Sequence, residues 1–219
     1  MVNTFIISDD IRQSIKLLDN RRLGKQRVEA QQILNLLLDA IYICDELDWN
    51  PQPKGFDLEH DIAREEWFKN VFKQYKSLPF FIAREGRVIQ GGWATHTAVL
   101  MWIGYEEALK EYITLCIQEW KRRGFKNTMT TYEVSNPVYP WWTRNTTLIN
   151  SHISALLRKE KVRKESKWYW EMNDFVKISQ TKWYSTGYLW ISHLTLEQRK
   201  KLSICDDPSL CDPQTNDFV

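Results

Sequence analysis

The chain has 219 residues, 43% of them hydrophobic, so it can bury a sizeable core and most simply forms one elaborated domain. Its formal net charge is only +2, so a surface for nucleic acid must come from local clustering of cations. The eight glycines form no dinucleotide-binding, phosphate-loop or esterase motif, which argues against those three classes of enzyme.

Cysteines and histidines show no metal-binding pattern. The four residues of each type are scattered without the paired spacing of zinc sites, so we expect free thiols, a reducing compartment and no metal or cofactor. The N-terminus lacks the features of a signal peptide, and no apolar run is long enough to cross a bilayer. These features predict a cytoplasmic protein, or a nuclear one in a eukaryotic host, with no membrane partner.

The hydrophobic spacing predicts a mainly α-helical fold. Ser8 followed by Asp9 and Asp10 is typical of a helix start, in which the hydroxyl caps the helix and the acids suit the positive end of its dipole. The expected helices cover about residues 11–20, 22–47, 57–78, 95–123 and 147–164. Proline, glycine and asparagine predict a loop over 48–55, and the apolar flanks around Glu-Gly predict a short β-hairpin within 80–89.

A cluster of cations interrupts the apolar pattern of "LLDNRRLGKQRVEAQQIL", residues 17–34. Its members are Arg21, Arg22, Lys25 and Arg27. Arg21 and Lys25 are four residues apart and therefore share a helix face away from the leucines. The face is either simply solvated or binds anions. Only Asp19 and Glu29 are close enough in sequence to neutralise it, which favours contact with phosphates.

A second basic run, residues 156–170, combines cations with aromatic rings. It includes Arg158 and Lys159, followed by further cations and then by Trp168 and Tyr169. Cations bind phosphates and rings stack on bases, so the combination is typical of nucleic-acid binding. The alternative is that the rings belong to the core, where aromatic residues at helical spacing usually lie.

Five segments follow one another in a longer pattern. They are "LDNRRLGKQRVEAQQIL" (18–34), "GWATHTAVLMWIGYEEALKEYITLCIQEWKRRGFKNT" (92–128), "PWW" (140–142), "SHISALLRKE" (151–160) and "KWY" (167–169). Together they resemble the pyrimidine-dimer DNA glycosylases of the endonuclease V type, small all-helical enzymes that excise UV-damaged pyrimidines and then nick the abasic site. The resemblance implies a compact glycosylase-like domain over residues 1–191, with 48–91 as an insertion. Residues 192–219 would be a partly disordered C-terminal extension.

The resemblance also implies a mechanism. In that family the N-terminal α-amine attacks C1′ of the damaged nucleotide and forms a Schiff base, and a glutamate assists elimination. Removal of Met1 would expose the amine of Val2. An α-amine titrates near about 8, so much of it is neutral at neutral pH. Where the phage enzymes carry the glutamate this sequence has Arg22, so Glu29 is our candidate for the acid.

Several roles have alternatives. Glu29 can instead be the intrahelical partner of Lys25, and Lys25 can be either a phosphate contact or the Schiff-base amine. His96 and His152 lie in the matching segments and can touch phosphate or sugar, or be structural, and Arg144 extends the basic face.

The sequence as a whole predicts a monomeric DNA repair glycosylase with abasic-site lyase activity that acts on pyrimidine dimers in duplex DNA. Two alternatives stay open. One is the same fold acting on another modified or damaged base, as a glycosylase or a transferase. The other is a non-catalytic DNA-binding module.

Overall fold

The computed structural model describes residues 4–75, 83–84, 87–88, 94–162 and 189–204. Seven α-helices are found there: α1 Ile11–Leu17, α2 Asn20–Leu47, α3 Leu58–Tyr75, α4 Thr97–Leu100, α5 Glu106–Arg122, α6 Thr146–Val162 and α7 Leu196–Ile204. Short 3-10 helices cover Trp141–Arg144 and Ile191–His193. Two strands, β1 Ala83–Arg84 and β2 Arg87–Val88, pair antiparallel where the hairpin is predicted. The prediction of a mainly α-helical fold is confirmed.

Two capped helices form the N-terminal part of the fold. The Asp10 carboxylate accepts hydrogen bonds from the amides of Arg12 and Gln13 and so caps α1. Asp19 caps α2 in the same way through the amides of Arg21 and Arg22. The polar turn between the helices therefore has partners for the first amides of α2, which orients that helix.

The core is centred on the contact between α2 and α5. The buried apolar side chains of these helices include Leu23, Ile33, Leu34, Leu37, Leu109, Ile113, Cys116 and Ile117. Gly24 allows α5 to come close, since a Cβ at this position would lie 3.0 Å from a ring carbon of Trp120. The glycine in the first turns of α2 is thus explained by packing.

The prediction of one helix over residues 95–123 is wrong, because α4 ends at Leu100 and α5 begins only at Glu106. Gly104 in the intervening turn has a φ of +83°, a left-handed conformation that favours glycine. Arg64 of α3 lies against this turn and donates to the Ile103 carbonyl (3.2 Å). The apolar residues of the turn fit a helical pattern, but these tertiary contacts stabilise a break.

Buried charges connect α3 to the rest of the core. Asp61 accepts hydrogen bonds from Arg64 (2.5 Å) and from the Tyr105 hydroxyl (2.9 Å). Glu65 pairs with Arg199 of α7 at 2.8 Å, and both side chains are almost completely buried. Part of the expected insertion and part of the expected C-terminal extension therefore pack together as helices.

Two further findings bear on the sequence predictions. Cys44 and Cys116 are buried free thiols, whereas Cys205 and Cys211 lie outside the described residues. Among the described helices, none is long and apolar enough to cross a membrane.

Candidate functional site

The N-terminal segment, residues 4–7, is buried and contacts α2, α6 and the turn before α5. The Phe5 amide donates to Oε1 of Gln26 on α2 (2.7 Å), and the Ile6 amide donates to Nδ1 of His152 on α6 (3.1 Å). Thr4 Oγ1 accepts a hydrogen bond from Nε1 of Trp102 (2.7 Å). These side-chain partners fix the path of the chain beginning two residues after Val2, which itself lies outside the described residues.

Gln26 connects the N-terminal segment to Glu29. The Gln26 side chain is 1% exposed, and its Oε1 accepts from the Tyr112 hydroxyl (3.0 Å) as well as from Phe5. Its Nε2 donates to Oε2 of half-buried Glu29 (3.4 Å). Burial, together with Cys116 and the Glu29 carboxylate, raises the pKa of Tyr112, so its hydroxyl remains a donor. The Glu29 carboxylate therefore lies one side chain away from the N-terminal segment.

Cations meet solvent on the outer side of α2. Arg21, Lys25 and Val28 follow one another at helical spacing and are exposed, and we call these three residues the α2 ridge. The side chain of Lys25 makes no hydrogen bond or ion pair within the described part of the chain. Glu29 lies four residues after Lys25, so the carboxylate and the amine are neighbours on the helix surface.

The profile of the pyrimidine dimer DNA glycosylases matches residues 2–133, more than half of the chain. The chain belongs to the pyrimidine dimer DNA glycosylase family. Family membership implies a DNA substrate, and the match includes the N-terminal segment, α2 and α5. No curated protein and no solved structure matches the chain.

Arg22 does not lie on the α2 ridge. Its side chain is only 4% exposed, and its guanidinium lies 3.5 Å from the Asp19 carboxylate and 3.5 Å from the Leu156 carbonyl of α6. Consecutive helical residues point about 100° apart, which turns Arg22 inward while Arg21 points outward. The structure thus places Arg22 as a link between α2 and α6, in contrast to the predicted phosphate contact.

Arg27 is held by the loop that follows α5. Its guanidinium donates to Oδ1 of Asn127 (3.1 Å) and lies 4.7 Å from the centroid of the Trp120 ring. Gly24 contacts the same ring, so this flank of α2 faces α5. The position predicted for Arg27 on an open basic face is corrected to a half-buried one beside Trp120.

The two histidines have structural partners. His152 is 0% exposed and accepts the Ile6 hydrogen bond, so its position excludes the predicted direct DNA contact. Nδ1 of half-buried His96 accepts from the Ala98 amide (3.1 Å) and caps α4. Burial lowers the pKa of His96, which favours the neutral imidazole that this hydrogen bond requires.

Arg144 lies on another side of the molecule. It is exposed and lines an open cleft with Arg12 and Glu111. Glu111 and Trp120 are nine residues apart on α5, which corresponds to about two and a half turns, so they project in opposite directions. Because Trp120 packs on α2, the structure does not bring Arg144 together with the α2 ridge.

The second basic run is only partly described. Arg158 and Lys159 lie on α6, and their side chains are outside the described residues, as are Trp168 and Tyr169.

Gln26, Tyr112 and Thr4 are the site residues that sequence reasoning missed. The signal that could have revealed Gln26 was its helical spacing, because it lies on the same inward face of α2 as Leu23 and Ala30. A polar residue at such a position needs a hydrogen-bond partner. That signal indicates a buried partner for Gln26 without identifying the N-terminal segment.

Proposed function

We propose that the chain is a DNA glycosylase with abasic-site lyase activity that acts on pyrimidine dimers in duplex DNA. The observation that carries the proposal is the Gln26 side chain, which binds both the Phe5 amide and the Glu29 carboxylate. Consecutive Cα atoms advance at most about 3.6 Å, so the Val2 Cα lies within about 7 Å of the Thr4 Cα. We infer that the α-amine of Val2 acts beside Glu29, because Val2 is only two residues before the segment that Gln26 binds.

The proposed reaction begins with the neutral amine of Val2. Its lone pair attacks C1′, the glycosylic bond breaks, and the bonding electrons leave with the pyrimidine, which takes up a proton. The C1′–O4′ bond then breaks and O4′ takes up a proton that the nitrogen releases, so the opened sugar remains attached as a protonated Schiff base. Glu29 then removes a proton from C2′, and the electrons of that C–H bond expel the 3′ phosphate, which nicks the strand.

The α2 ridge would bind the DNA backbone beside this site. Arg21 and Lys25 present positive charge to solvent, and a phosphate would neutralise Lys25. Replacing both cations by glutamine should make DNA binding less dependent on salt, because fewer counterions are released on binding. An unchanged salt dependence would mean that the ridge is only solvated.

Borohydride trapping tests the nucleophile. The purified protein is mixed with labelled duplexes that carry a cyclobutane pyrimidine dimer, an abasic site or neither, and the linked peptide is identified by mass spectrometry. We expect an adduct at Val2 on the first two duplexes. An adduct on the abasic duplex alone would indicate another target base, and the absence of any adduct would refute the amine mechanism.

Two variants separate the roles of Lys25 and Glu29. Lys25→Gln should still form the adduct if the amine belongs to Val2, whereas loss of the adduct would make Lys25 the nucleophile. Glu29→Gln should slow the nicking of the abasic duplex by about 10²-fold or more while DNA binding persists. Glu46→Gln is the matched control, because Glu46 is exposed near the far end of the same helix.

A further inference from the structure

An aromatic stack lies at the C-terminal end of α5. The rings of Phe125 and Trp120 are nearly parallel, with centroids 4.1 Å apart and an interplanar angle of 21°. The Arg27 guanidinium packs on the Trp120 ring, and Gly24 contacts its edge. Phe125 remains 37% exposed, so part of this stack is open to solvent.

Hydrogen bonds fix the loop that carries the stack. Nε1 of Trp120 donates to the Lys126 carbonyl (2.9 Å), and the Phe125 amide donates to the Trp120 carbonyl (3.3 Å). Gly124 between them has a φ of +85°, which allows the tight turn. The exposed ring is therefore held in a fixed position, which reduces the entropy lost when another ring binds to it.

Exposed lysines precede and follow Phe125 in the chain, and another follows Gly24 on α2. Lys25, Lys121 and Lys126 are exposed and make no ion pair within the described ranges. The carboxylate of Glu119 is already occupied by Arg122 (2.6 Å) and Arg123 (2.7 Å), and these bonds lower the pKa of Glu119. An exposed aromatic ring among unpaired lysines suits a ligand that has both a flat ring and a phosphate.

The structural role of Phe125 does not require that one face of its ring be open to solvent. Phe125 covers the end of α5 by contact with Trp120, as apolar residues beyond a helix C-terminus commonly do. A leucine could also cover the end of α5, although without the ring–ring contact, and it would expose no flat surface. Phe56 can be compared with Phe125, because it is 57% exposed and contacts Tyr105 at the opposite end of α5. Its neighbours in the chain are the acids Asp57 and Glu59.

We propose that Phe125 is a stacking platform for an unpaired nucleobase of DNA whose backbone lies along the α2 ridge. The base stacks on the exposed side of Phe125, while Lys121 and Lys126 contact the adjoining phosphates. Stacking of this kind tolerates every base, because each has a flat aromatic face. The inference rests on the DNA binding of the proposed function, but it does not require the Schiff-base chemistry.

Fluorescence anisotropy with a labelled single-stranded oligonucleotide, and with the same oligonucleotide as a blunt duplex, tests this platform. Phe125→Leu should weaken single-strand binding by about 5- to 150-fold, the range measured for loss of one stacked base. Phe125→Tyr keeps the ring and should stay within about twofold of the wild type. Phe56→Leu, the matched control, should leave binding unchanged, as should Phe125→Leu with the fully paired duplex.

Three results would overturn the inference. They are wild-type affinity of Phe125→Leu for the single strand, an equal loss for Phe56→Leu, and an equal loss of Phe125→Leu on the blunt duplex. Absence of all DNA binding by the wild type would overturn the proposed function as well. A wild-type protein that forms no borohydride adduct, but whose single-strand binding depends on Phe125, would refute only the proposed chemistry.

Discussion

Replacing Gln26 by leucine tests the link between the N-terminal segment and α2. The substitution keeps a side chain of similar size but removes the acceptor for the Phe5 amide (2.7 Å) and the Tyr112 hydroxyl (3.0 Å). A buried donor without a partner costs about 1–3 kcal/mol, so two of them would cost about 2–6 kcal/mol. The Tyr112 hydroxyl keeps a weak acceptor in the Phe5 carbonyl (3.4 Å). We therefore expect the free energy of unfolding to fall by about 2–4 kcal/mol.

Urea unfolding followed by tryptophan fluorescence measures this loss. Gln31→Leu is the matched control, because Gln31 accepts from Tyr132 (2.8 Å) at a half-buried site on the same helix. Water can replace that acceptor, so we expect a loss of at most about 1 kcal/mol. Equal losses of unfolding free energy for the two variants would refute the assignment of Gln26 as the buried acceptor that holds the N-terminal segment.

Gln26→Glu completes the test, because it restores an acceptor for both donors. It also brings a second carboxylate within hydrogen-bonding distance of Glu29, where the amide now lies at 3.4 Å. Two carboxylates at this distance raise the pKa of one of them. The folded variant then binds a proton more tightly than the unfolded chain, so its free energy of unfolding should fall as the pH rises. A stability that does not change with pH relative to the wild type would contradict this arrangement.

Three further predictions concern the buried charges. Asp61→Asn leaves the Arg64 guanidinium without its carboxylate and should lower the free energy of unfolding by about 3–5 kcal/mol in urea denaturation. Gly104→Ala should cost at least about 1 kcal/mol, since its φ is positive and a Cβ would meet Arg64, and circular dichroism melting would show a lower Tm. Burial raises the pKa of Glu65, so its contribution to the free energy of unfolding falls as the pH rises. Arg199→Met removes the opposing charge and should make this fall steeper. Urea titrations at several pH values measure the difference.

The sequence predicted those parts of the fold that local signals determine. The periodic apolar residues placed α2, α3 and α6 to within a few residues, and the polar run from Ser8 to Asp10 located the start of α1, although Asp10 and not the predicted Ser8 is its cap. The break at Gly104 was missed because it depends on Arg64, which comes from another helix. Local periodicity contains no information about such a contact, whereas the glycine at the break was an indication that went unused.

The candidate site was predicted in the same uneven way. Arg21 and Lys25 are exposed as expected, because their spacing alone places them on one face. Their neighbour Arg22 is buried because α6 provides the Leu156 carbonyl as an acceptor, and that approach cannot be read from the basic run. The role of Gln26 was missed for a related reason, since its partner Phe5 is in a segment whose apolar residues show no periodicity.

Helix geometry explains how one short part of α2 can serve three separate contacts. Glu29 faces the N-terminal segment, Lys25 faces solvent, and Gly24 faces the Trp120 ring below Phe125. A helix with its side chains is about 10 Å across, so a strand along the α2 ridge would meet the proposed nucleophile on one flank and the stack on the other. Different nucleotides would then occupy the two flanks. Glu29→Gln and Phe125→Leu should therefore affect different quantities, the rate of nicking and the affinity, and each effect should keep its size in the double variant to within about 0.5 kcal/mol. A larger coupling would mean that the same nucleotide contacts both flanks.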